Sequence, residues 1–390
     1  MPARSDLLDE TAGPSRRVIA AFRRPEVLLV ASIDAVGIAR LPRLFHEAGY
    51  RVSVLASPRL AVLRSRYVSQ RIVTARGVEL LVSELGKMLD SGDAQGKWIV
   101  LCDEIVMRHV ASLPDAERYA AAFPVPFADR HVALSNVRFM YRAAACEMAV
   151  PEFEICSGEA EGRSAAGRIG YPVMAKLDYG MTGSGVRLLE GEEDWDGIGL
   201  SLEGDFLVQK YVAGETGTTN ILFDHGVPVC WFSFYVRHNW PNRFCASAGG
   251  EFVDDIQIEK AVQQLGIVVR FHGLCGFDWV REERSGRIFV IELNPRPTPT
   301  IHAGVWTGVN FADAIRRLAD GKVVSRHLAK TKDEFVMFPE IAYSAIDNRN
   351  LGQFLRGIKT APVDDPVLLS AILRRILTHY LRRAIRAWAR

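Results

Sequence analysis

The stretch LCGFDWVREERSGRIFVIELNPRP, residues 274–297, constrains the fold more tightly than any other part of the chain. Two runs rich in β-branched and aromatic residues flank Arg284, Ser285 and Gly286, and Gly286 suits the left-handed position of a three-residue hairpin loop. That loop sets a register. Asp278 then faces Glu292, Gly276 faces Asn294 and Val280 faces Val290, while Phe277, Trp279, Phe289, Ile291 and Leu293 fall on the other side. Opposite residues stand with Cβ atoms about 5 Å apart, so two carboxylates there repel unless something compensates them. A divalent cation does this directly: Asp278, Glu292 and the amide oxygen of Asn294 are hard oxygen donors of the kind magnesium accepts. The plainer alternative is a wet polar face, or acids paired with Arg281 or Arg237.

Upstream, KLDYGMTGSGV (residues 176–186) follows a strand-like run and fits neither familiar phosphate-binding template. Gly180 and Gly185 have the first spacing of a P-loop, but Val186 stands where its lysine belongs. Gly183 and Gly185 begin a dinucleotide fingerprint that lacks its third glycine. The lysine precedes the glycines instead of following them.

The chain's 390 residues suit two or three domains. With 48 basic and 46 acidic side chains the formal charge is +2, which gives no whole-protein argument for nucleic acid as a partner. Six scattered cysteines without a CxxC pair point to reduced thiols, and no apolar run reaches the ~18 residues of a membrane span. Together with a charged, polar start that lacks a signal-peptide core, this predicts a cytoplasmic protein. A flexible start is expected at residues 1–24 and a doubly wound α/β domain at 25–120, opened by the buried strand VLLVASI and a helix that must accommodate Pro42. Residues 121–170 form a linker helix and lead-in, 171–215 a lid with the glycine loop, 216–325 an α+β lobe, and 326–390 a C-terminal extension.

Four motifs in order resemble the ATP-grasp superfamily of carboxylate-activating ligases over residues 130–315: Lys176 before GMTGSGV, then QKYVAGE, then Asp278 in GFDWV, then Glu292 and Asn294 in VIELNPRP. The resemblance implies an α/β and α+β multidomain chain, with an N-terminal doubly wound domain ahead of a two-lobed ATP-grasp fold. It also implies ATP and magnesium as cofactors, with manganese as an alternative ion. By the same resemblance Lys176 contacts the inner phosphates and Thr182, Gly183, Ser184 and Gly185 close over the outer ones. Gln209, Lys210, Tyr211 and Val212 form the adenine hinge, and Glu215 holds the ribose. Asp278, Glu292 and Asn294 ligate metal, and Arg296 lies near the transferred phosphate or a substrate carboxylate. The implied reaction joins a small-molecule carboxylate to an amine, or to a thiol, through an acyl phosphate; the alternatives are a nucleotide-binding regulatory protein and a phosphotransferase with a hydroxyl acceptor. Two positions depart from the family pattern. SNVRFM offers Arg138 in place of a phosphate-binding lysine, and Gly276 stands where relatives that join two amino acids often carry arginine.

The C-terminal segment reads as a basic amphipathic helix with Leu369, Leu373, Ile376, Tyr380 and Ala384 on one face. It either packs on its own domain or touches an anionic membrane or a protein partner. His302, Arg237 and Arg243 are candidates for an acceptor pocket.

Overall fold

A computed structural model describes residues 24–180, 183–241, 247–322 and 333–388. Thr182, Arg243 and the N-terminal 23 residues therefore lie outside the described residues. The first unit is a parallel sheet of β1 (Glu26–Ala31), β2 (Arg51–Ala56), β3 (Gln70–Val73) and β4 (Lys97–Leu101), in the order β3-β2-β1-β4. Its helices of eight or more residues are α1 (Val36–Glu47), α2 (Val78–Asp90) and α3 (Glu104–Ser112). The unbroken apolar run of β1 has a simple cause. Val27, Leu29 and Ala31 face α1 and its Phe45, whereas Leu28 and Val30 face Leu81, Leu85 and Val106 of the other two helices, so both faces are covered. Pro42 sits inside α1 without ending it.

After α4 (Asn136–Ala145), a second sheet contains β5 (Phe153–Ser157), β6 (Val173–Leu177), β7 (Val186–Leu189) and β8 (Asp205–Lys210), antiparallel in the order β5-β8-β6-β7. Helix α5 (Glu159–Ile169) covers it around the buried Trp195. The third sheet has six antiparallel strands: β9 (Gly214–Asp224), β10 (Val227–Asn239), β11 (Ser247–Val253), β12 (Gly273–Glu282), β13 (Ile288–Asn294) and β14 (Glu334–Val336), in the order β13-β12-β9-β10-β11-β14. Helix α6 (Ile256–Val269), capped by Asp255, packs with α4 on one face against Phe277, Trp279 and Val290. The opposite face meets α7 (Phe311–Ala319) and α8 (Glu340–Asp347); α9 (Leu351–Ile358) packs on α8, and α10 (Pro366–Trp388) packs on the short helix Ala61–Arg64 and, through Tyr380, on Tyr343 of α8. Leu222, Phe232 and Phe234 from this sheet share one continuous core with β1 and α1, so the N-terminal unit and the third sheet are joined by apolar packing.

The β12–β13 hairpin corrects its expected register in part. Gly276 faces Asn294 and Asp278 faces Glu292 as read from the sequence, but beyond them Trp279 faces Val290 and Val280 faces Phe289. The pair Glu282 and Arg287 closes a loop of residues 283–286, one residue longer than expected, with Gly286 at φ +68°. A bulge at Ile291 absorbs the extra residue. Consequently Ile288 and Val290 join Phe277, Trp279 and Leu293 in the core, while Phe289 and Ile291 are only half-buried.

The C-terminal helix corrects a second expectation. Leu368, Ile372 and Ile376 are its buried residues and Tyr380 packs beside them, but Leu373 is exposed. Among the described residues no helix is long and apolar enough to cross a membrane. Five cysteines, Cys102, Cys146, Cys156, Cys230 and Cys275, are free thiols; Cys245 lies outside the described residues.

Candidate active site

Three strands from two sheets bring the acidic pair and the lysine together. Lys176, on β6 of the second sheet, is only 7% exposed, and its Nζ donates to the carbonyl of Ile291 at 3.1 Å. That acceptor is the bulge residue of β13. Asp278, on β12, accepts from the Thr218 hydroxyl of neighbouring β9 at 2.6 Å and from the Asn294 side-chain amide at 3.2 Å. Glu292 has no hydrogen-bond donor of its own among the described residues. Burial, and next the Asp278 charge, push its carboxyl from 4.5 up to about 7. Burial likewise raises Asp278 and lowers Lys176, whose ammonium Glu292 and Asp278 in turn favour. Neither arginine considered as a counter-ion for these acids is free to serve: Arg281 holds Asp255, and Arg237 bridges Glu215 and Glu251.

Two half-buried carboxylates beside one amide, with Lys176 and Arg296 acting on them but neither in a salt bridge to them, make a donor set that fits a divalent cation. Thr218 orients Asp278 for that task, as a hydroxyl behind a ligating carboxylate does. The sequence reading missed it. Its only signal is its position in the polar GTTN segment of β9, opposite Asp278 in the ladder.

A cleft of about 1820 Å³ opens over this pair, lined by Gly180, Gly183, Thr218, Asp278, Glu292, Asn294 and Arg296 on one side. The N-terminal unit supplies another part of its wall. Glu104 of α3 holds Arg296 at 3.1 Å, and Arg108 of the same helix stacks 3.3 Å over the ring of Tyr179 in the glycine loop. Asp178 in that loop accepts from the Ser135 hydroxyl and the Val137 N–H at the start of α4. Gly37 in the first turn of α1 lies so close to Pro299 that a Cβ on it would sit 2.4 Å from the Pro299 Cα.

The remaining candidates are placed less centrally. Gln209 is buried on β8 beside Met140, and the residues Gln209, Lys210, Tyr211 and Val212 are not part of the cleft wall. Tyr211 gives its N–H to the Pro172 carbonyl. Glu215 is taken by Arg237 at 2.5 Å. Ser184 is exposed and Gly185 buried at the root of the loop, where its carbonyl accepts from Leu177. Arg138 is exposed on the first turn of α4. His302 lies away from the cleft, and burial holds its imidazole well below its usual pKa, in the neutral form. At Gly276 a Cβ would meet the Thr219 carbonyl and the Thr298 methyl, each at 2.7 Å, so no arginine fits there.

The ATP-grasp domain family matches residues 137–300, a span that holds Lys176, the glycine loop and the whole acid hairpin. Residues 137–300 form an ATP-grasp domain. The chain is 25% identical over 227 residues to the D-alanine–D-alanine ligase of Xylella fastidiosa, covering 51% of this chain and 73% of that one. The fold matches N5-carboxyaminoimidazole synthetase from Staphylococcus aureus with a TM-score of 0.65 at 14% identity, over 84% of this chain and 86% of that one. It also matches the biotin carboxylase domain of Hydrogenobacter thermophilus 2-oxoglutarate carboxylase, solved with MgADP and bicarbonate, with a TM-score of 0.60 at 16% identity, over 80% and 73%.

Proposed function

We propose that the chain is an ATP- and magnesium-dependent ligase that activates a small-molecule carboxylate as an acyl phosphate and passes it to an amine. The observation that carries this reading is the buried Lys176 facing two carboxylates that have no protein cation to neutralise them fully. Asp278, Glu292 and Asn294 would hold magnesium, which on binding neutralises charge on the transferring phosphoryl group. Lys176 is buried behind the cleft wall at the root of the glycine loop, and its ammonium would exchange the Ile291 carbonyl for phosphate oxygens. The loop from Gly183 to Gly185, with Thr182, would enclose the outer phosphates, and its closure would keep water from the acyl phosphate. Gln209 to Val212 would meet the adenine through the backbone. Glu215 would reach the ribose after leaving Arg237, which keeps Glu251 as a partner. Arg296, held by Glu104, would meet an oxyanion of the substrate.

The steps balance without a protein nucleophile. A carboxylate oxygen bonds to the γ-phosphorus as the bond to ADP breaks; the amine then bonds to the acyl carbon, phosphate leaves, and the amine's proton goes to solvent or phosphate. The absence of an arginine-sized space at Gly276 supports an acceptor other than the α-amino acid of dipeptide-forming relatives. The test is ADP release from ATP and magnesium over panels of carboxylates and amines, with products read by mass spectrometry. A new amide that disappears in Glu292→Ala is the expected result. A stable phosphorylated alcohol would assign a phosphotransferase instead, and tight ATP binding with no ADP over the panels would assign a regulatory protein.

A further inference from the structure

The cleft has another wall, which the ligase reading leaves without a task. It is formed by α10, whose residues divide among three sides at the helical repeat of about 100° per residue. Leu368, Ile372 and Ile376 are buried in the core, and Leu373, Leu377, Leu381 and Ile385 form an exposed stripe. On the third side Arg374 and Arg382, two helical steps of four apart, line the same cleft as Asp278 and Glu292.

The cations of this wall are not all committed. Arg375 is neutralised by Asp34 at 3.3 Å and Arg383 by Asp347 at 2.6 Å. Arg374 and Arg382 have no acidic partner among the described residues, and neither does Arg59, which lines the cleft from the turn after β2. Arg59 also holds a left-handed backbone at φ +71°, a conformation that disfavours a non-glycine residue and that clusters at ligand sites. The acids nearby face other groups. Asp34 serves Arg375, Asp103 accepts from Ser32 and caps α3, Glu104 holds Arg296, and Glu340 faces Arg40 and Arg375. The cleft is thus acidic at the hairpin, where a cation is expected, and has a surplus of guanidinium groups at α10. Its volume of about 1820 Å³ also exceeds the ~300–1000 Å³ of a usual small-molecule pocket, which leaves room for a second molecule beside a nucleotide.

We propose that Arg59, Arg374 and Arg382 bind an anionic group of the co-substrate, a phosphate or a carboxylate distinct from the one that reacts. The substrate class is then small molecules with at least two anionic groups, or a carboxylate joined to a phosphorylated amine. Arginine suits this role because its planar fork takes such oxyanions with two parallel hydrogen bonds. The inference rests on the ligase reading for the identity of the cleft, and it selects the cleft-lining side of α10 over its exposed leucine stripe as the binding surface.

The experiment titrates inorganic phosphate and, separately, succinate into the full chain saturated with magnesium and a non-hydrolysable ATP analogue, using calorimetry. One anion should bind the wild type and bind Arg374→Gln/Arg382→Gln at least about tenfold more weakly, with analogue affinity unchanged within about twofold. The stronger of the two distinguishes phosphate from carboxylate. Arg374→Lys/Arg382→Lys should recover part of the loss, which a folding defect would not. Equal binding to wild type and the Gln variant, or binding of neither anion, overturns the proposal. So does loss of binding to phosphatidylglycerol vesicles in the Gln variant when neither small anion binds the wild type, which would assign α10 to a lipid surface. Failure of the analogue to bind refutes the ligase reading instead, and the two anions can then be compared between wild type and variant without it.

Discussion

Glu292→Gln separates the cost of holding a carboxylate in this cleft from the use made of it. Burial and the like charge of Asp278 across the hairpin raise the Glu292 carboxyl from 4.5 to about 7. Between those values the folded, metal-free protein keeps a proton that the unfolded chain releases. The associated stability is fully present below pH 4.5 and is lost as the pH rises through about 7. At ~1.4 kcal/mol per pH unit the loss amounts to ~3 kcal/mol. Glutamine carries no charge to desolvate, so in the presence of a chelator the variant should be more stable than wild type by ~1–3 kcal/mol above that window, and the difference should vanish below it. Urea unfolding followed across the window measures this. Adding magnesium and an ATP analogue should reverse the order: a ligand at a hundred times its Kd stabilises the wild type by ~2.7 kcal/mol, whereas the variant gains little. A metal-free variant that is less stable than wild type at every pH, or a difference that does not change with pH, refutes the reasoning.

Lys176→Met should lower affinity for the ATP analogue by about 10- to 100-fold in a direct titration, because a charge-assisted contact to phosphate is lost; unchanged affinity would remove Lys176 from the nucleotide site. Gly276→Arg should lower the urea midpoint by the equivalent of at least ~1–3 kcal/mol, since the added Cβ meets the Thr219 backbone. A variant as stable as wild type would show that the strand can shift to admit an arginine there.

The acid pair was legible from sequence because two departures cancel. The turn is one residue longer than the glycine suggested, and the Ile291 bulge removes that residue again before Glu292 is reached. Between the two, every inward and outward assignment on β13 from Ile288 to Ile291 is inverted, since a one-residue slip exchanges the faces of a strand. The bulge had no signature to read: Ile291 is an ordinary strand residue, and its irregularity matters because its carbonyl receives Lys176 from another sheet. The parallel order of the first sheet followed from the unbroken apolar run of β1 and the helices between strands. The cleft wall from the N-terminal unit was not legible. Glu104 and Arg296 are 192 residues apart, and each looks like an ordinary surface charge in its own helix or loop. The C-terminal helix was recognised as basic and amphipathic, but its period could not separate a buried stripe from an exposed one, because leucine or isoleucine occupies both.

The grip of Gly37 on Pro299, of Glu104 on Arg296 and of Arg108 on Tyr179 has a practical consequence for dissecting the chain. The segment recognisable as a family domain, residues 137–300, leaves out part of the cleft wall. Excised at those limits it would keep Asp278, Glu292 and the glycine loop yet lose Glu104 from Arg296, Arg108 from Tyr179, and the arginines of α10. A fragment that keeps the whole cleft has to extend in both directions, back to β1 and forward through α10.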